Sequence, residues 1–277
     1  MSTHADSLGR GKADEFRNEH GLGRQPLGDL ITMIEQTVGA DVAVVDAPAD
    51  EHGMIMRHRD RGTVFIAVAR TERPMRQRST LAHELGHVLF GDWEVDRGAP
   101  ANSWIETRAT SFARHLLLPL DGVLETAETA HTRDQEAVLS RIVQRFLVSP
   151  AIAAIALEQV RFISNDTKTA FMSLATPKLA ARYGWSDQYH LLQEESRRSR
   201  APQHLLARAV TGYIENLVTS RQLAALRGSP AEELEQEYRE AGIVPKEIKP
   251  SWGSPADLPH VEIDLAELDA ELPAGEE

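Results

Sequence analysis

Two histidines four residues apart, with a glutamate directly after the first, constrain this chain more than any other feature: LAHELGHVLFG, residues 81–91. On an α-helix, positions four apart are separated by about 400°, so His83 and His87 leave one face within reach of a single ion. Glu84 is turned by about 100° from His83, so it need not bind the ion and can take a proton from a water that the ion activates. The spacing demands a helix, and the surrounding residues write one. Leu81, Leu85, Val88 and Leu89 form its apolar stripe, Thr71 offers an N-cap, Pro74 sits near the first helical position and Gly91 is the stop. Zinc held by two imidazoles acidifies water and polarises a carbonyl, which is the chemistry of hydrolysis.

A catalytic zinc needs a third protein ligand, and a chain with no cysteine must take it from His, Asp or Glu. A third histidine in the metzincin pattern would require Gly at 90 and His at 93; Phe90 and Trp93 stand there instead. Asp92, Glu94 and Asp96 lie just past the Gly91 stop, where the chain turns away, and stay open as candidates. Glu106 is favoured. It opens a helix expected from about 103 to 118, and an antiparallel return brings its carboxylate back beside the imidazoles. His115, nine residues further on, is rotated by about 900° to the opposite side and is assigned no role.

Ahead of the motif, PLGDLITMIEQTVG (26–39) spaces Leu27, Leu30, Ile31, Ile34 and Val38 as an amphipathic helix with a closing glycine. Three β-like runs follow, at 41–47, 53–58 and 62–69. From residue 133 onward the pattern is helical, first in DQEAVLSRIVQRFLVSPAIAAIALEQV and again from about 205 to 244.

RSTLAHELGHVLFG followed by IETRATSFARHLLLP resembles the ImmA/IrrE metallopeptidases, in which Ala-His-Glu-(Leu/Ile)-Gly-His precedes Glu-x-x-Ala-x-x-Phe-Ala-x-x-Leu-Leu-x-Pro. The second half is met by Glu106, Ala109, Phe112, Ala113, Leu116, Leu117 and Pro119, and the likeness spans roughly residues 15 to 165. It implies His83, His87 and Glu106 as zinc ligands and Glu84 as general base. Thr110 stands where the family commonly has Asn, a departure beside Glu106. The expected fold class is α+β: a zincin-like peptidase domain at 25–132, with a short sheet, the HExxH helix and the Glu helix, then a helix-turn-helix-like region at 133–165 and a C-terminal helical module at 166–248. By the same likeness the strand ahead of the motif helix, GTVFIAVA, is the expected edge on which a substrate peptide aligns.

The resemblance further implies a zinc-dependent endopeptidase that cleaves a helix-turn-helix repressor or antitoxin, switching on genes for stress response or mobile-element transfer. The competing reading is a regulatory or toxin-type protein that works by binding a partner protein or DNA, with peptidase activity latent. Composition weighs on this. Net charge is −12, and residues 250–277 hold eight acids without a Lys or Arg, so −4 remains when they are removed. That acidic stretch, 249–277, reads as a disordered tail, and the polar, glycine-punctuated residues 1–24 read as a flexible N-terminus. The segment at the recognition-helix position, PAIAAIALEQV, offers only Glu158 and Gln159 as polar groups, so direct DNA binding is expected to be weak. SRRSR (196–200) reads as a solvated loop. Without a signal peptide, an uninterrupted apolar span or a cysteine, the expected setting is the cytoplasm, with no membrane contact.

Overall fold

Three short runs rich in Val, Ile, Met and Ala, β1 (Asp41–Val45), β2 (Gly53–Arg57) and β3 (Val64–Ala69), form one sheet. Its order is β1-β3-β2, with β3 parallel to β1 and antiparallel to β2. The computed structural model describes residues 2–48, 53–93 and 103–247. The strand expected to present a free edge is therefore the central one: β3 is hydrogen-bonded on both sides and cannot accept a substrate strand. The outer side of β1 is engaged too, because Val44 exchanges both backbone hydrogen bonds with Arg200, at 2.9 and 3.0 Å. Among the described residues no strand pairs with the outer side of β2.

Helix α1 (Ser2–Glu19) overturns the expectation of a flexible N-terminus. Its buried stripe is Ala5, Gly9, Ala13 and Phe16, spaced four and three apart. Three of these four are too small to register as an apolar face, yet they let the helix lie close against its neighbour. Arg17, also buried, donates to the carbonyls of Gly23, Leu22, Gln25 and Leu116, so its charge is surrounded by acceptors. Helix α2 (Leu30–Thr37) starts later than the periodicity suggested because Asp29 caps it, accepting from Thr32 N–H at 3.1 Å. Helix α3 (Pro74–Phe90) carries the motif. Its N-cap is Arg73, not Thr71. Thr71 lies two residues outside, where its hydroxyl accepts from Arg73 N–H at 3.2 Å and its own N–H donates to the Ser196 carbonyl at 3.0 Å.

Helix α3 packs across β2 and β3, α4 (Trp104–Leu117) packs on α3, and α1 covers α4, so the layers run sheet, α3, α4, α1. Beyond α5 (Leu120–Glu128) come α6 (Gln135–Phe146) and α7 (Pro150–Gln159), inclined at 115° and joined through Leu147 in the left-handed region, φ 53° and ψ 46°. That angle and short turn are those of a helix-turn-helix, and the turn is held by a leucine where glycine would cost least. Helix α7 spends Ala153, Ala154, Ala156 and Leu157 on the core, and Glu158 pairs with Lys168 at 3.7 Å.

The main core continues through α8 (Asn165–Met172) and α9 (Thr176–Arg182) into α10 (Ser186–Ser196), with Leu179, Trp185 and Tyr189 buried in it. SRRSR is a solvated loop only in its middle, where Arg197, Arg198 and Ser199 are exposed; its two ends are tied down. Ser196 is buried, its carbonyl accepts from Thr71 and Gln77, and Arg200 is bound to β1. The last helices, α11 (Gln203–Ile214), α12 (Ser220–Arg227) and α13 (Ala231–Glu240), bury a separate small cluster of Ala209, Leu223, Ala224, Leu234 and Tyr238. The acidic tail at 249–277 lies outside the described residues. Among those described, no single helix is long and apolar enough to cross a membrane.

Candidate metal centre

The site is built by two helices that must approach closely, and Gly86 permits it. A Cβ there would stand 3.0 Å from Phe112 Cδ1 and 3.4 Å from both Cα and O of Ala109, so any larger residue holds α4 away from α3. Ser103 then fixes where α4 begins: its hydroxyl accepts from Glu106 N–H at 3.3 Å. Glu106 thus leaves the first turn of α4 and reaches back to the middle of the motif helix.

Three side chains converge. His83 Nε2 and His87 Nε2 are 3.0 Å apart, Glu106 Oε2 is 3.0 Å from His83 Nε2, and Glu106 Oε1 is 3.5 Å from His87 Nε2. The imidazole planes stand at 81°, so the rings are not stacked; their nitrogens meet at a corner. Ligand atoms at about 2.0–2.1 Å around a tetrahedral ion stand about 3.3 Å from one another, and the observed separations bracket that value. Two neutral imidazole nitrogens this close repel through their lone pairs unless a proton or a cation lies between them, and the carboxylate supplies compensating negative charge. The hydrogen bond from His83 holds the Glu106 carboxyl below the usual carboxylate range, outweighing the upward push of partial burial. A His-His-Glu group of this kind can hold a metal ion.

Behind the triad runs a chain of support. The last turn of α3 closes with Gly91 at φ 73°; Gly91 N–H donates to the Val88 carbonyl at 3.1 Å and Asp92 N–H to the His87 carbonyl at 2.9 Å. This pair of bonds wraps the chain back over its own helix and sets residue 92 above residue 87. An apolar contact usually fills that position. Here the Asp92 carboxylate accepts from His87 Nδ1 at 3.0 Å, which fixes the tautomer and leaves the Nε2 lone pair facing Glu106 and His83. The other Asp92 oxygen is bound by Arg108, whose guanidinium lies over the rings of Phe90 and Trp104, at 4.3 and 4.4 Å from their centroids. Asp92, open in the sequence as a ligand, therefore stands outside the converging group and orients His87 instead. Arg108 went unnoticed in the sequence, and an acidic residue directly after a helix-ending glycine, five places beyond a histidine, was the available signal.

Glu84 stands apart from the three converging groups and lies against the start of β2. A Cβ at Gly53 would fall 2.7 Å from Glu84 Oε1 and 2.7 Å from Thr80 Cγ2, so a larger residue there would displace the Glu84 carboxylate. Thr110 serves His83 rather than Glu106: its hydroxyl is 3.4 Å from His83 Nδ1. His115 is buried on the far side of α4. Glu94 and Asp96 lie outside the described residues.

Residues 39–158 match the family model Peptidase_M78, described as the IrrE N-terminal-like domain. A comparison with curated proteins gave no match. The matched span contains the sheet, both site helices and the α6–α7 turn, and supports a metallopeptidase-type role.

Proposed function

We propose, from the premise that the chain belongs to the ImmA/IrrE family through residues 39–158, that it is a zinc-dependent endopeptidase cleaving a helix-turn-helix repressor or antitoxin and thereby derepressing genes. The observation that carries the reading is the convergence of His83, His87 and Glu106 with separations of 3.0 to 3.5 Å, leaving a metal one coordination position short of four protein ligands. Zinc bound there supplies Lewis acidity toward a carbonyl and a water. Glu84 takes the proton of the attacking water and returns it to the leaving amine. Asp92 holds His87, and Thr110 steadies His83. The substrate backbone adds to the outer side of β2, beside Glu84, with Gly53 keeping that approach open.

The test is co-expression with the transcription regulators encoded beside its gene. Glu84→Gln should keep zinc and lose cleavage by about 10³-fold or more, whereas His83→Ala should lose both. A site-specific fragment that persists at the wild-type rate with Glu84→Gln would remove Glu84 as general base.

A further inference from the structure

At the other end of α3 from the metal centre, a cavity of about 410 Å³ opens between the first two turns of that helix, the start of α2 and the end of α10. Its bottom is apolar and buried, made by Val44, Val68 and Leu81, with Ile31 and Leu192 higher on the walls. Its mouth is charged. Arg78, Arg198 and Arg200 face Asp29 and Glu195 there, and the buried Glu35 behind them pairs with Arg200, so the charges of the cluster balance.

The three arginines differ in what they have left to give. Arg200 is engaged by Asp29 at 3.5 Å and Glu35 at 3.4 Å. Arg78 donates to the carbonyls of Gly28 and Leu27, at 2.8 and 2.6 Å, while its Nε is buried without a partner. Arg198 is exposed at the rim and makes no side-chain hydrogen bond or ion pair among the described residues. An apolar bottom with an uncommitted guanidinium at the opening fits a molecule that is apolar at one end and anionic at the other. The single uncommitted guanidinium, Arg198, matches one carboxylate, which it binds through two parallel N–H bonds. A phosphate monoester, near −2, exceeds it.

We propose that this cavity binds a small monocarboxylate with an apolar body, a medium-chain acyl or arylalkyl acid, seated tail-inward with its carboxylate on Arg198. The volume lies within the range of small-molecule sites, about 300 to 1,000 Å³. The ligand would join α3 to the Leu192–Arg200 segment. That segment already holds the peptidase layers through Ser196 and Arg200, so occupancy of the cavity tightens the seam between the two halves of the chain.

The experiment uses the full chain, with and without zinc, and needs no peptidase substrate. Octanoate and octanol are titrated by calorimetry beside a thermal melt. Octanoate should bind at one site and raise the melting temperature, and octanol should bind at least about tenfold more weakly. Arg198→Gln, at an exposed position that does not endanger folding, should erase that preference, and Leu192→Trp should fill the cavity and abolish both. Equal binding of the two probes, no octanoate binding up to about 10 mM, or undiminished octanoate binding in folded Leu192→Trp would each overturn the proposal.

Discussion

Helix α4 is held from two sides by the same device with different consequences. Toward α3 the spacer is Gly86, and the closeness it allows brings Glu106 to the two imidazoles. Toward α1 the spacer is Gly9, where a Cβ would collide with the Arg108 carbonyl oxygen and lie 2.7 Å from Ser111 Cβ and 2.8 Å from Phe112 N. One flank makes a site and the other only braces it. The difference lies in what can yield: at Gly86 the nearest atom belongs to a ring, at Gly9 to the backbone of the helix that carries Glu106.

The largest effect should therefore come from the bracing flank. Gly9→Ala gains about 1 kcal/mol of helix propensity but meets main-chain atoms that cannot rotate away, so α1 must lift off. A net loss of about 2–3 kcal/mol is expected in denaturant unfolding, together with increased proteolysis of residues 2–19. A variant as stable as the parent would show that α1 is not seated through Gly9.

The same flank should also be the acid-sensitive one. His115 is 2% exposed, its Nε2 has no hydrogen-bond partner, and burial lowers its pKa from 6.5 to about 4, with Arg114 and Arg10 adding to the shift and Asp6 opposing it. A histidine whose folded pKa is depressed binds its proton more readily in the unfolded chain. It therefore costs nothing above pH 6.5 and draws stability down as pH falls from 6.5 to 4, by on the order of 3 kcal/mol at the end of that window. His115→Gln should flatten that stretch of the stability curve. An unchanged slope would place the acid sensitivity elsewhere.

The two flanks were not equally legible in the sequence. The metal flank announces itself, because two histidines at helical spacing, a glycine stop and a glutamate at the head of the next helix each follow from a local rule. The bracing flank is written in Ala5, Gly9 and Ala13, residues whose burial follows from their smallness and not from hydropathy, so a polar composition hid a packed helix. Strand order was equally hidden. GTVFIAVA has the apolar character of a buried strand, and whether such a strand is central or at the edge depends on which neighbours return to it. The Asp92–Arg108 support escaped because a glycine stop marks where α3 ends but does not say that Arg108, from the next helix, returns to the carboxylate that the wrap places over His87.

That support predicts the next effect in size, now on the metal flank. Asp92→Asn keeps an acceptor for His87 Nδ1 and removes the negative charge that raises its basicity and balances Arg108. Loss of such a partner weakens metal binding by about 10- to 100-fold, and zinc competition with a chelator measures it. A decrease below about threefold would take Asp92 out of the metal-holding chain.

Gly86→Ala should give the smallest change in stability and the sharpest test of the comparison. The substitution gains about 1 kcal/mol of helix propensity, as at Gly9. Its Cβ, however, meets the Phe112 ring at 3.0 Å and the Ala109 backbone at 3.4 Å, contacts that a shift of a few tenths of an ångström relieves. Gain and strain are of similar size, so unfolding free energy should move by less than about 1 kcal/mol in either direction. The candidate metal site has no such tolerance, because Glu106 would have to reach both imidazoles from a helix that has just moved outward. Zinc affinity should therefore fall several-fold while the melting temperature of the metal-free protein barely changes, a separation that Gly9→Ala, which lowers stability first, should not show. If zinc affinity is kept at full strength in Gly86→Ala, the closeness of α3 and α4 is set by the rest of the interface, and the glycine of the motif has some other reason to be there.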